Sequence, residues 1–301
     1  MRRFVVLILF WSGLLGCVKD PGIEGYRYRL VVEGWIEEGG VANVLLSQNN
    51  PLISTVDSTS IEQMVIRWAK VTVSDGERTE VLRGRIDGDY FPPFIYHGTE
   101  LMGEAGKTYT LTVEYSGHVW TAQTTIPESV PLTLLKTQAV EGNDTLYSIR
   151  ATFSDPAVEK NYYKFFTRIN RKGRFLPSLM GNFDDNLFDG KEMSVTVNQG
   201  IEMKQIKKFN AYFHVKDTVF VKFCTMSEFD FDFWTAYENE QINSQNPLFP
   251  ANQNLPSNIS SGRGCWCGYG KNTYVIWHGQ KNTAALMDNR IENLLDSDIK
   301  D

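Results

Sequence analysis

Thr108-Tyr109-Thr110-Leu111-Thr112-Val113-Glu114-Tyr115 alternates polar with apolar residues along its whole length. Successive side chains of a strand point to opposite faces, so this stretch reads as a strand with one buried and one wet face. Ser116-Gly117-His118 turns the chain, and Val119-Trp120-Thr121-Ala122-Gln123-Thr124-Thr125-Ile126 runs back. Upstream, Ile66-Arg67-Trp68-Ala69-Lys70-Val71-Thr72-Val73-Ser74 alternates again and stops at Asp75-Gly76, a hairpin dipeptide that tolerates positive φ. Residues 80–84 would return from it, and residues 41–47 and 26–36 add two more strands. Strands at this spacing, with no helical period between them, predict an immunoglobulin-like β-sandwich over residues 26–130. Pro127 to Leu132 carries the expected domain boundary.

Working outward to the C-terminal side, residues 148–153, 162–169, 193–197, 209–215 and 219–226 read as strands, and residues 273–278 as the last one. One helix stands out near 227–243. Ser227-Glu228-Phe229-Asp230 has the form of a capping box, and Phe229, Phe233 and Tyr237 follow at helical spacing with Trp234 on the same face. Such a stripe predicts core packing. From Asn246 to Gly270 the chain is rich in Asn, Pro, Ser and Gly, which predicts a long surface loop. The expected fold is therefore mainly β: the immunoglobulin-like sandwich, a second β-rich domain over 131–285 with one amphipathic helix, and a polar tail at 286–301.

The N-terminus sets the location. Arg2 and Arg3 precede an apolar run from Phe4 to Trp11, and Leu14-Leu15-Gly16-Cys17 has the form of a bacterial lipobox. The run falls short of the roughly 20 residues that a spanning helix needs. Residues 1–16 thus read as a lipoprotein signal peptide, Cys17 as the lipid attachment residue and residues 17–25 as a tether. Val18 follows the cysteine, not the aspartate that holds many lipoproteins at the inner membrane, and Lys19-Asp20 resembles a surface-export signal. The expected location is the outer membrane, lipid-anchored, at the cell surface.

Removing residues 1–16 takes Arg2 and Arg3 from the 30 Lys and Arg and nothing from the 36 Asp and Glu, so the net charge moves from −6 to about −8. The lysines at 204, 207 and 208 form only a local cluster. An acidic chain without a basic stripe argues against nucleic acid as a partner.

No G-x-S-x-G, HExxH or phosphate-binding glycine loop occurs, and His97, His118, His214 and His278 are scattered singly. The expectation is a protein that is not an enzyme and needs no cofactor. Cys224, Cys265 and Cys267 are an odd set for an exported chain. Cys224 with Cys265 or Cys267 is the candidate disulfide, and a soft-metal site using Cys265, Cys267 and His278 is the less favoured alternative. Asp184, Asp185 and Asp189-Gly190 lack the order of a calcium loop, so no metal site is assigned. Tyr90-Phe91-Pro92-Pro93-Phe94-Ile95-Tyr96 reads as a loop. Tyr90, Phe91, Phe94 and Tyr96 there, with Phe249 and Trp266 in the later loop, are the candidate ligand- or partner-binding residues.

The ordered segments Leu30-Val31-Val32-Glu33-Gly34-Trp35-Ile36, Val71-Thr72-Val73-Ser74-Asp75-Gly76, Thr124-Thr125-Ile126-Pro127, Asn161-Tyr162-Tyr163, Asp184 to Glu192, Phe233-Trp234 and Pro256-Ser257-Asn258-Ile259 resemble a family over most of the chain. It is a family of Bacteroidota outer-membrane lipoproteins described only as a domain of unknown function (family number 4249). Cys265-Trp266-Cys267 departs from its usual apolar stretch. The resemblance implies a partner, a TonB-dependent outer-membrane receptor. It also implies a role as an accessory or ligand-capture subunit for a small molecule, peptide or glycan. An adhesion or polymer-binding module is the alternative reading, followed by a metal-handling protein or a hydrolase.

Overall fold

The structure, a computed structural model, describes residues 30–48, 64–157, 159–201, 211–243 and 255–279. The signal and tether with Cys17, the strand opening at 26–29, the lysines at 204, 207 and 208, Phe249 and the tail at 286–301 lie outside these residues.

The strands of the first half are β1 (Leu30–Glu37), β2 (Val41–Gln48), β3 (Lys70–Ser74), β4 (Thr79–Val81), β5 (Arg83–Ile86), β6 (Phe94–Met102), β7 (Thr108–Tyr115) and β8 (His118–Thr125). The second half adds β9 (Leu132–Val140), β10 (Asn143–Ser154), β11 (Tyr162–Ile169), β12 (Leu176–Asp184), β13 (Glu192–Val197), β14 (Phe213–His214), β15 (Thr218–Met226) and β16 (Arg263–Trp277), with the helix α1 (Glu228–Asn243) between the last two. Among the described residues no helix is long and apolar enough to cross a membrane.

Eight strands make the central sheet, in the order β12-β11-β15-β16-β1-β2-β6-β5. Two smaller sheets pack on one of its faces. The sheet β4-β3-β7-β8 brings Val71, Val73, Tyr109, Leu111 and Val113 against Val32, Ile36, Val44 and Trp266. The sheet of β9, β10, β13 and β14 brings Tyr147, Ile149 and Phe153 against Tyr163, Phe165, Phe223 and Tyr274. Each of these side chains contributes about 1.5–3 kcal/mol by leaving water. Glu80 ties the first small sheet to the large one: its carboxylate accepts from the backbone N–H groups of Thr99 at 2.5 Å and Leu101 at 2.8 Å.

The largest departure from the sequence reading is β16. Residues 263–270, expected as surface loop, belong to one 15-residue strand inside the central sheet. Its first half pairs parallel with β1, from Val31 opposite Arg263 to Glu37 opposite Tyr269. Its second half pairs antiparallel with β15, from Thr225 opposite Gly270 to Thr218 opposite Trp277. The glycines that suggested a loop are there for close approach. A Cβ on Gly270 would lie 2.3 Å from the Pro127 carbonyl oxygen, because the connection between β8 and β9 crosses directly over the strand. Gly34 does the same for the Trp266 ring, 2.8 Å from where a Cβ would stand.

Two smaller corrections follow. Phe94, Ile95 and Tyr96 are strand, not loop, because they pair with β5 and Tyr96 also with β2. β9, which pairs along β10, occupies a stretch read only as the start of the second domain.

Candidate functional site: a cleft on the helix-covered face

β11 and β15 are buried on both faces. Alternation sends Tyr163, Phe165, Val221 and Phe223 into the second core and Tyr162, Lys164, Phe166, Lys222, Cys224 and Met226 to the opposite face. That face continues through Cys265, Cys267 and Tyr269 of β16 to Trp35 of β1, and α1 covers it with Phe229, Phe233 and Trp234. Ser227 caps the helix: the Asp230 N–H donates to its Oγ at 3.2 Å.

The face is charged as well as aromatic. Lys164 is fully buried, held by Glu238 of α1, and its ammonium lies 5.0 Å from the Trp234 ring centre. Glu37 bonds Lys222 and lies 3.1 Å from Lys271. Burial alone would raise the Glu37 pKa, but the two lysines outweigh it and bring it down to about 2. Asp230 is fully buried, and neither carboxylate oxygen completes a well-formed hydrogen bond. Burial lifts its pKa from 3.8 to about 6, against the pull of the nearby Cys267 thiol, the Ser227 hydroxyl and the Gly268 and Ser227 backbone. Burial, with Cys265 and Asp230 adding to it, pushes the Cys267 thiol well up, which makes it a poor nucleophile.

At one end this face opens to solvent. Glu33 of β1 keeps 54 % of its side chain exposed, yet desolvation by the surrounding protein still raises its pKa, against Arg174. The Glu33 carboxylate is thus open to water and at the same time crowded by protein. Arg174, from the turn between β11 and β12, lies 3.6 Å from Glu33 and 5.5 Å from the Tyr90 ring centre. Tyr90 in turn packs on Trp35 at 6.0 Å. Tyr237 of α1 stands close enough for Glu33 and Arg174 to influence its phenol. Burial raises the Tyr90 pKa and brings that of Tyr237 to about 12, so both hydroxyls keep their protons at neutral pH. Four separate parts of the chain thus converge on one aromatic cleft with one ion pair at its centre.

Of the candidate binding residues, Tyr90 lines this cleft and Phe91 is 52 % exposed beside it in sequence. The others are structural. Phe94 packs edge-on against Tyr96 at 5.4 Å. Tyr96 is buried, donating to the Ile66 carbonyl at 3.0 Å. Trp266 is wholly buried in the first core, its indole N–H donating to the Tyr109 carbonyl at 3.0 Å. All three belong to paired strands, and the Tyr96 and Trp266 side chains are enclosed.

Cys224, Cys265 and Cys267 are buried, and none is in a disulfide. Lys271 stands opposite Cys224, and Cys267 lies four residues away along β16, about 13 Å at the rise of a strand and beyond the reach of a disulfide. His278 stacks near Tyr147, at 5.5 Å, beside the second core, while the cysteines face α1. The acidic turn does gather carboxylates, but with a member the sequence did not suggest. Asp155, Asp185 and Asp189 bring oxygens within 4.8 Å of one another, a donor set suited to a hard cation. Their hydrogen bonds already account for the two buried ones as braces. Asp155 accepts from the Tyr163 hydroxyl and from the Gly190 N–H at 2.9 Å, and Asp185 from the Asn161 N–H at 2.6 Å.

No curated protein matches the chain. A family model described as a domain of unknown function (DUF4249) matches residues 20–274.

Proposed function

The chain belongs to the DUF4249 family, and from that membership we propose that it is a cell-surface lipoprotein, anchored at Cys17 to the outer membrane. It serves a TonB-dependent uptake system as a non-enzymatic, ligand-capturing accessory subunit, and the sandwich of its first half is immunoglobulin-like. The observation that carries the capture reading is the Glu33–Arg174 cleft with its aromatic walls. Ligand sites combine apolar and aromatic lining with a few convergent polar groups, and this cleft has that composition. Its carboxylates favour binding over hydrolysis. Glu33 faces an arginine, and Glu37, four residues along the same strand and about 13 Å away, is neutralised by two lysines. The lipobox and the family resemblance support the location and the partner.

The test is an affinity pull-down of the tagged, full-length lipoprotein from mild-detergent envelope extracts, with a Cys17→Ser chain as the unanchored control. A stoichiometric β-barrel receptor with the wild-type chain is the expected result, and the control should leave the membrane fraction. Recovery of the wild-type protein alone, under conditions that preserve a known envelope complex, would overturn the accessory reading in favour of a free-standing adhesin.

A further inference from the structure

We propose that the cleft takes an uncharged oligosaccharide, stacking a sugar ring on Trp35 and Tyr90 and hydrogen-bonding its hydroxyls to Glu33 and Arg174. The inference rests on the ligand-capture reading of this site and adds the class of ligand.

The state of the charges decides the class. The carboxylate at the open end already holds a cation, Glu33 with Arg174, and deeper along the face Glu37 has Lys222 and Lys271 and Glu238 has Lys164, while Asp230 is fully buried and out of a ligand's reach. A charged ligand group would have to displace one of these partners and leave its own charge uncompensated. A hydroxyl breaks nothing. Within its ion pair Glu33 keeps spare lone pairs, and Arg174, with five N–H donors, keeps spare hydrogens. Both remain within reach of solvent, at 54 % and 31 % side-chain exposure. The Tyr90 and Tyr237 hydroxyls, protonated at neutral pH, can donate as well as accept, which suits a ligand whose every hydroxyl does both.

The walls supply the second half of the recognition. A pyranose has one face made largely of C–H groups, and an aromatic ring offers that face a flat apolar surface with a negative centre. Trp35 and Tyr90 lie 6.0 Å apart with planes inclined by 34°. Both are only partly buried, so part of each ring remains accessible. Inclined neighbouring rings suit consecutive sugars of a bent chain better than one flat ligand sandwiched between parallel planes.

The experiment is isothermal titration of the full-length lipoprotein in mild detergent with three probe sets. The first is neutral oligosaccharides of glucose, mannose, xylose and galactose, the second an oligogalacturonate, the third a tryptic casein digest. The expected result is saturable binding of at least one neutral series, changed less than two-fold by raising salt, and weakened at least ten-fold by Tyr90→Ala. Glu33→Ala, at an exposed side chain, should weaken it comparably and guards against a folding defect in the first variant. Trp68→Ala, at a solvent-exposed ring, should leave it unchanged. Binding of the uronate or the peptides alone, lost with Tyr90→Ala, would overturn the ligand class and leave the capture reading standing. Binding of a neutral series indifferent to both cleft variants would overturn the site. Absence of binding in all three arms would overturn the inference, while the receptor pull-down would still decide the accessory reading.

Discussion

The two faces of the central sheet are built from the same strands and covered in different ways. One meets two small sheets and is filled by Trp266, Tyr163, Phe165 and Phe223. Among the described residues, the other meets one helix and holds Lys164, Lys222, Glu37 and Asp230 among its rings. A sheet laid on a sheet shields a broad apolar layer. One helix is narrower than the surface beneath it, and water reaches the uncovered end, where Glu33 lies. Buried ion pairs are often no better for stability than apolar residues of the same volume. The apolar face therefore carries the greater share of stability.

That contrast can be broken by substitution on either side. Trp266→Ala removes the largest buried side chain of the first core and should cost about 4 kcal/mol in urea unfolding, the largest effect of the set. A loss under about 1 kcal/mol would mean that the indole is not enclosed between Gly34 and Tyr109. Glu37→Gln leaves Lys222 and Lys271 without their counter-charge and should cost about 3 kcal/mol at neutral pH. Because the Glu37 pKa is depressed to about 2, this difference should shrink as pH falls from 4.5 through about 2. Asp230 has the opposite sign. Its folded pKa is raised from 3.8 to about 6, so its contribution is at its best below 3.8 and is lost as pH rises through about 6. Asp230→Asn should therefore stabilise by up to about 3 kcal/mol at pH 7 and by almost nothing at pH 3.5, read from paired denaturation curves. Ser227→Ala, which removes the helix cap, should cost about 1 kcal/mol; no change in the helix melt would show that packing alone holds the cover in place.

Much of the architecture was legible because one-sided strands announce themselves. The alternation of residues 108–115 gives the buried and exposed sides of β7 correctly, and the Ser227 cap and aromatic stripe give α1. Legibility fails where both faces are buried or where glycine serves contact instead of turning. Residues 263–270 carry Gly264, Gly268 and Gly270, which read as loop punctuation, whereas β1, the end of β8 and the β8–β9 connection press on them in turn. The cleft was less legible still. Tyr90 was visible as an aromatic in a suspected loop, and Glu33 and Trp35 as part of a strand. Nothing in sequence spacing links those three to Arg174 and Tyr237, which only the folded chain brings near. Asp155 escaped for the same reason: it stands far along the chain from Asp185 and Asp189.

The parallel pairing of β1 with β16 also orders events in time. Val31 finds its partner in Arg263, so the first strand of the sheet waits for almost the last before that edge is closed. Until then the β1 edge offers unpaired N–H and C=O groups to any other extended chain, the usual route to edge-to-edge aggregation. Contacts so distant in sequence make folding slow, since the entropy of closing the intervening loop is lost before the pairing is gained. A chain interrupted before residue 263 would be left with this edge open, and its first half should be recovered as aggregate instead of as a folded fragment.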